Sequence, residues 1–135
     1  MTEIRPTIVP AVRYADAEAG LAFLKAAFGA EEQSVFRGDD GVIHHAEIRL
    51  GNGLIMLGQH SSEGWLGGDL PRPRSSTVSL YVVVDDPDAH HQAAGAAGAD
   101  VVRPLADMDY GSREYSVRDP EGNLWSFGTY DPYVQ

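Results

Sequence analysis

Apolar and polar positions along this chain fall into two rhythms, strand-like and helix-like, and their order repeats. Residues 7–14 (TIVPAVRY) crowd β-formers together and predict a strand. Beyond them Leu21, Leu24 and Phe28 recur at helical spacing. Asp16 stands where a cap is needed, Glu18 suits the first turn, and Gly29 ends the helix. Residues 33–37 predict a short strand, and Asp39-Asp40-Gly41 a turn. Residues 42–50 and 54–59 predict two strands joined by Gly51-Asn52-Gly53, a hairpin signal. Residues 60–75 are rich in Gly, Ser and Pro and read as a connecting loop.

The same order then returns. Residues 76–85 (STVSLYVVVD) predict a strand. Asp85 or Asp86 caps a helix with Pro87 in its first turn, and Gly98 ends it. Residues 101–105 predict a short strand. Residues 112–118 and 123–130 form a final hairpin around Asp119-Pro120-Glu121-Gly122-Asn123, where Pro fixes φ and Gly is free to turn positive. The pattern is β-α-β-β-β, a linker, and β-α-β-β-β again. Asp16 answers Asp86, Gly41 answers Gly111 and Leu54 answers Leu124; 86 minus 16, 111 minus 41 and 124 minus 54 are all 70. One common offset is hard to reach by chance. We read a single domain of two repeats: 1–60, a linker at 61–75, and 76–135.

Composition narrows the function classes. The chain has 135 residues, 43% hydrophobic and 22% charged, ordinary for a globular domain with a real core. No apolar run is long enough to span a bilayer, and MTEIRPTIVP lacks the layout of a signal peptide, so a cytoplasmic location is expected. The absence of cysteine removes disulfides, thiolate nucleophiles and zinc–thiolate sites together. A net charge of −10 argues against nucleic acid as a partner. No phosphate-binding glycine loop and no serine elbow is present. Arg37-Gly38-Asp39 matches an adhesion tripeptide, which in a short loop is read as coincidence.

Three stretches, YADAEAGLAFLKAAFGAEE, HHAEIRLGNGLIML and YGSREYSVRDPEGNLWSFGTY, carry a resemblance that covers nearly the whole chain. It resembles the vicinal oxygen chelate superfamily, also called the glyoxalase/bleomycin-resistance/dioxygenase superfamily. That resemblance implies an α+β fold: two βαβββ modules forming a cleft between curved mixed sheets, helices on the outer face. It also implies a homodimer, and in the enzymes a divalent metal held by four side chains. The corresponding positions here are Val9, Met56, Ser79 and Ser126. Val and Met offer nothing to a hard cation and serine hydroxyls are weak ligands, so no metal and no cofactor is expected.

The positions that the resemblance supplies fix strand phase, and that phase nominates the lining of the cleft. Val9, Ala11 and Arg13 face it from the first strand. Met56, Tyr81, Ser126 and Tyr130 face it from later ones, with Trp125 and Phe127 turned to the helix. Alternation adds His45, Glu47 and Arg49, and places Glu114 and Ser116 inward, unless Tyr115 takes that side instead. Trp65, set among glycines, is expected at the cleft mouth or near a partner chain. His45, Glu47, Met56, Trp65, Tyr81, Glu114, Ser126 and Tyr130 are thus the expected ligand-binding residues. A cleft with aromatic walls and more acid than base suits a cationic or aromatic small molecule. Two functions stand open. One is a metal-independent binding protein that sequesters a drug or metabolite. The other is a lyase, isomerase or dioxygenase using unusual metal ligands or a His/Glu acid–base pair.

Overall fold

The computed structural model describes residues 6–61 and 78–134; Trp65 lies outside them. Strand β1 (Ala11–Tyr14) is shorter than the predicted 7–14. Pro10 has no amide to give a ladder, although its carbonyl still accepts from the Met56 amide at 2.9 Å. Helix α1 (Ala17–Phe28) starts as its sequence dictates: the Asp16 carboxylate accepts from the Ala19 amide, and Gly29 closes the helix at φ 70°. Strands β2 (Glu31–Arg37), β3 (Ile43–Leu50) and β4 (Gly53–Gln59) complete the first module. The second comprises β5 (Leu80–Val83), α2 (Pro87–Ala96), β6 (Asp100–Asp107), β7 (Arg113–Arg118) and β8 (Leu124–Gly128). Of the two candidate caps, Asp86 is the one that accepts from the Ala89 amide.

Each module folds into a four-stranded mixed sheet, ordered β1-β4-β3-β2 and β5-β8-β7-β6. The first strand of each pairs in parallel with the last, and the other pairs are antiparallel. The class is α+β, two βαβββ modules. The repeat survives in the register: Ala11 stands opposite Met56, and Tyr81 opposite Ser126, and 81 minus 11 and 126 minus 56 are both 70.

The alternation of the strands decides which face is dry. Tyr14, Ala46, Ile48, Ile55 and Leu57 are buried on the helix side of the first sheet. Tyr115, Val117, Trp125 and Phe127 are fully buried on the helix side of the second. These residues form one core, joined through the helices. Phe28, at the end of α1, reaches across the seam. Its ring lies 4.7 Å from that of Phe127 and 5.2 Å from that of Trp125, centroid to centroid. Helix α2 carries little large apolar surface of its own, and His90 fills the gap, its ring 4.2 Å from Phe127. The Tyr115 hydroxyl, its pKa raised by burial, shares a hydrogen bond with His90 Nδ1.

Polar groups close the seam. The buried Asp119 carboxylate accepts from the Tyr14 hydroxyl at 2.7 Å, from Trp125 Nε1 at 3.2 Å, and from the Glu121 and Asn123 amides and Asn123 Nδ2. Glu121 accepts from the Ala15 and Asp16 amides. The turn of the second module therefore holds the first turn of α1 in the other, satisfying donors that a helix start leaves open.

His90 gives the core a pH dependence. Burial holds its imidazolium pKa below the usual 6.5. The folded state then binds fewer protons than the unfolded chain as pH falls. Stability is complete above the unfolded pKa and is lost as pH drops through it toward the depressed value. Thermal melts between about pH 7.5 and 5.5 should show a falling midpoint, and His90→Gln should flatten that slope. An unchanged slope in the variant would refute the assignment.

Candidate functional site

Opposite the core, each sheet presents a face that no described element of its own module covers. On the first sheet this open face carries Arg13 from β1, Met56 and Gly58 from β4, and His45, Glu47 and Arg49 from β3. The register aligns Ala11, Met56, Glu47 and Ser34 in one row; beyond it Arg13 stands opposite Gly58, and His45 opposite Phe36. His45 Nε2 lies 3.0 Å from a Glu47 carboxylate oxygen. Gln33 Nε2 and Ser34 Oγ donate to the other oxygen at 2.9 and 3.2 Å. The His45 contact, then the amide and hydroxyl, hold the Glu47 carboxyl below its usual range.

The second open face is more enclosed. Its first row is Tyr81, Ser126, Ser116 and Arg103. Ser116 and Ser126 share a hydrogen bond at 2.7 Å, and Arg103 Nε donates to Ser116 at 3.1 Å. In the next row Glu114, only 4% exposed, accepts from Arg103 Nη2 at 3.0 Å and from the Tyr110 hydroxyl at 2.9 Å. Burial alone would push its carboxyl up, but donors from Ser112, Tyr110 and Arg103 outweigh that and hold it low. Tyr81, 41% exposed, lies across Gly128 and donates to the Tyr130 carbonyl at 2.8 Å. Desolvation raises its hydroxyl pKa.

The expected residues thus fall into two groups. His45, Glu47 and Met56 stand together on the first sheet. Tyr81, Glu114, Ser126 and Tyr130 stand together on the second. Among the described residues no hydrogen bond, ion pair or ring contact joins one group to the other. Trp65 lies outside the described residues. Tyr115 takes the core side, which settles the phase of β7 in favour of Glu114. Arg103 and Tyr110 are site residues that strand phase did not single out. Arg37 is engaged by Glu18 at 2.6 Å, so the arginine of the tripeptide is not presented free.

The donor set does not fit a divalent metal. Val9 and Ser79 precede their strands, Met56 offers a thioether, and the Ser126 hydroxyl is already shared. Among the described residues no group of three or more His, Asp or Glu side chains could hold an ion. No described helix is long and apolar enough to cross a membrane. A separate groove of about 390 Å³ opens at the seam between the modules, lined mainly by apolar residues such as Ile8, Ile55, Leu80, Val82 and Tyr133. Of the expected residues only Tyr81 touches it.

Comparison with known proteins agrees with this geometry. A family model described as Glyoxalase/Bleomycin resistance protein/Dioxygenase superfamily matches residues 7–127. An uncharacterised protein of Mycobacterium bovis is 34% identical over 93% of this chain and 84% of its own length. The crystal structure of TioX from Micromonospora sp. is 31% identical, with a TM-score of 0.75 over 91% of this chain and 94% of that one. A bleomycin-binding protein from Streptomyces verticillus, solved with copper(II)-bleomycin, is 25% identical, with a TM-score of 0.63 over 97% of this chain and all of that one.

Proposed function

The chain belongs to the Glyoxalase/Bleomycin resistance protein/Dioxygenase superfamily, and on that premise we propose that it is a cytoplasmic small-molecule-binding protein that sequesters a drug or metabolite without a resident metal. One observation carries the reading. Where the superfamily resemblance places metal ligands, the chain has a thioether at Met56 and a hydroxyl at Ser126 already bonded to Ser116. A divalent cation would have to shed tightly held water for these, with nothing to offset the cost. What remains on the open faces is the equipment of a binding site. Met56, Tyr81, Tyr110 and Tyr130 supply apolar and aromatic area, and a few fixed polar groups supply orientation. The likeness to a protein solved with bound bleomycin supports a binding role of this kind.

The ligand needs a second wall, and we assign that wall to a second copy of the chain. Strands β1 and β5 are the outer strands of their sheets, and large exposed apolar side chains stand on or beside them. Ile8 is 86% exposed, Val78 71% and Val83 40%. Such edges invite pairing with another chain. Native mass spectrometry of the purified protein should show a dimer without stoichiometric metal, and added nickel, zinc, manganese or magnesium should not raise the melting temperature. Stoichiometric metal, or a monomer at micromolar concentration, would count against the reading. A second reading, acid–base catalysis, draws on the His45–Glu47 contact at 3.0 Å.

A further inference from the structure

We infer that the open face of the first sheet recognises an organic anion, with Arg13 as its principal charge contact. This rests on the small-molecule-binding reading and narrows it to a ligand class. The expectation of a cationic ligand drew on Glu47 and Glu114 as free charges. Both are engaged: Glu47 by His45, Gln33 and Ser34, and Glu114 by Arg103 and Tyr110. Their oxygens are therefore already occupied, and among the described residues a guanidinium with neither ion pair nor hydrogen bond stands beside Met56.

The chain holds twenty acidic residues against ten Lys and Arg, so a basic side chain without a carboxylate is an exception here. Among the described residues Lys25, Arg37, Arg103 and Arg113 form ion pairs, and Arg118 donates to the Gly122 carbonyl. Arg13 and Arg49 do neither. Both stand on the open face of the first sheet, on β1 and β3, with Met56 of β4 between those strands.

Arg13 is also held rather than loose. A Cβ added at Gly58 would lie 2.5 Å from Arg13 Nη1 and 2.7 Å from the His44 carbonyl oxygen. The guanidinium therefore lies over β4, in space that any larger residue at position 58 would fill. It is partly buried, where its charge is less screened than at an open surface. The net charge of −10 opposes an approaching anion at long range, but that field fades over about 10 Å in ordinary salt. At contact the nearby arginine decides. A planar guanidinium suits a carboxylate, sulfonate or phosphonate through paired hydrogen bonds. Met56 beside it offers an apolar floor for the rest of the ligand.

Three probes of one shape and three charges test this on the full chain: naphthoate, naphthylmethanol and naphthylmethylammonium, titrated by calorimetry. Naphthoate should bind about tenfold tighter than the alcohol, as a charge-assisted hydrogen bond implies. Arg13→Gln should erase that preference, with an unchanged circular dichroism spectrum and melting temperature reporting that the fold is intact. Arg13→Lys should restore part of it. Tighter binding of the ammonium, or a naphthoate preference that survives Arg13→Gln, would overturn the inference. If the alcohol and ammonium bind and naphthoate does not, the binding reading stands and this inference falls. If none binds, both fall together.

Discussion

Replacing Asp119 by alanine is expected to lower the unfolding free energy by about 4 kcal/mol, because buried donors that lose their acceptor cost roughly 1–3 kcal/mol each. Tyr14 and Trp125 would be left pointing at an apolar void, and the turn would lose three further hydrogen bonds. Not every loss counts in full, since water can enter the turn to reach the Asn123 groups. Tyr14→Phe removes one donor and keeps the acceptor satisfied by the others, so it should cost only about 1 kcal/mol. Urea denaturation of the three proteins gives the comparison, with the slope held constant as the sign that only stability moved. A loss below about 1 kcal/mol for Asp119→Ala would mean that the carboxylate is a turn residue and not a fastening between modules.

Phe28→Ala should come next, at about 3–5 kcal/mol, the range for deleting a buried aromatic ring whose site cannot collapse. Collapse is difficult here because the ring is gripped from two directions. Phe23 meets it edge-on from within α1, while Trp125, Phe127 and His90 meet it from the second module. Phe36→Ala is the control. That ring is 60% exposed on an edge strand, and its loss should stay within about 0.5 kcal/mol. Similar losses for the two variants in the same denaturation series would place the common core elsewhere.

The order of elements was legible in the chain because turn chemistry and alternation are local. Asp16, Gly29 and the Gly51-Asn52-Gly53 turn each act on a few neighbours, and each does what its residue type dictates. The phase of the last strand followed once the superfamily resemblance set Ser126 inward, which turns Trp125 and Phe127 to the core. The engagement of Glu114 was not legible. Arg103 and Tyr110 reach it from another strand and from a turn, and no spacing in the sequence announces which charge will meet which. Arg13 illustrates the reverse case. Its face followed from the positions the superfamily resemblance supplied, but that no described carboxylate pairs with it emerges only from the fold. The turn at residues 119–123 was legible as a turn and hid its second role, because the amides held by Glu121 are more than a hundred residues away.

That distance bears on how the protein is made. The amides of Ala15 and Asp16, just ahead of α1, leave the ribosome more than a hundred residues before the Glu121 carboxylate that accepts from them. Until Glu121 emerges the Ala15 and Asp16 amides lack their acceptor, and until Asp119 emerges the Tyr14 hydroxyl has no carboxylate to meet. The first module must therefore wait, incompletely fastened and with Phe28 uncovered, while the second is made. Contacts of such long separation close late and leave apolar surface in the open meanwhile. Slower elongation through the second half would prolong that exposure, and chaperone demand during synthesis should rise with it.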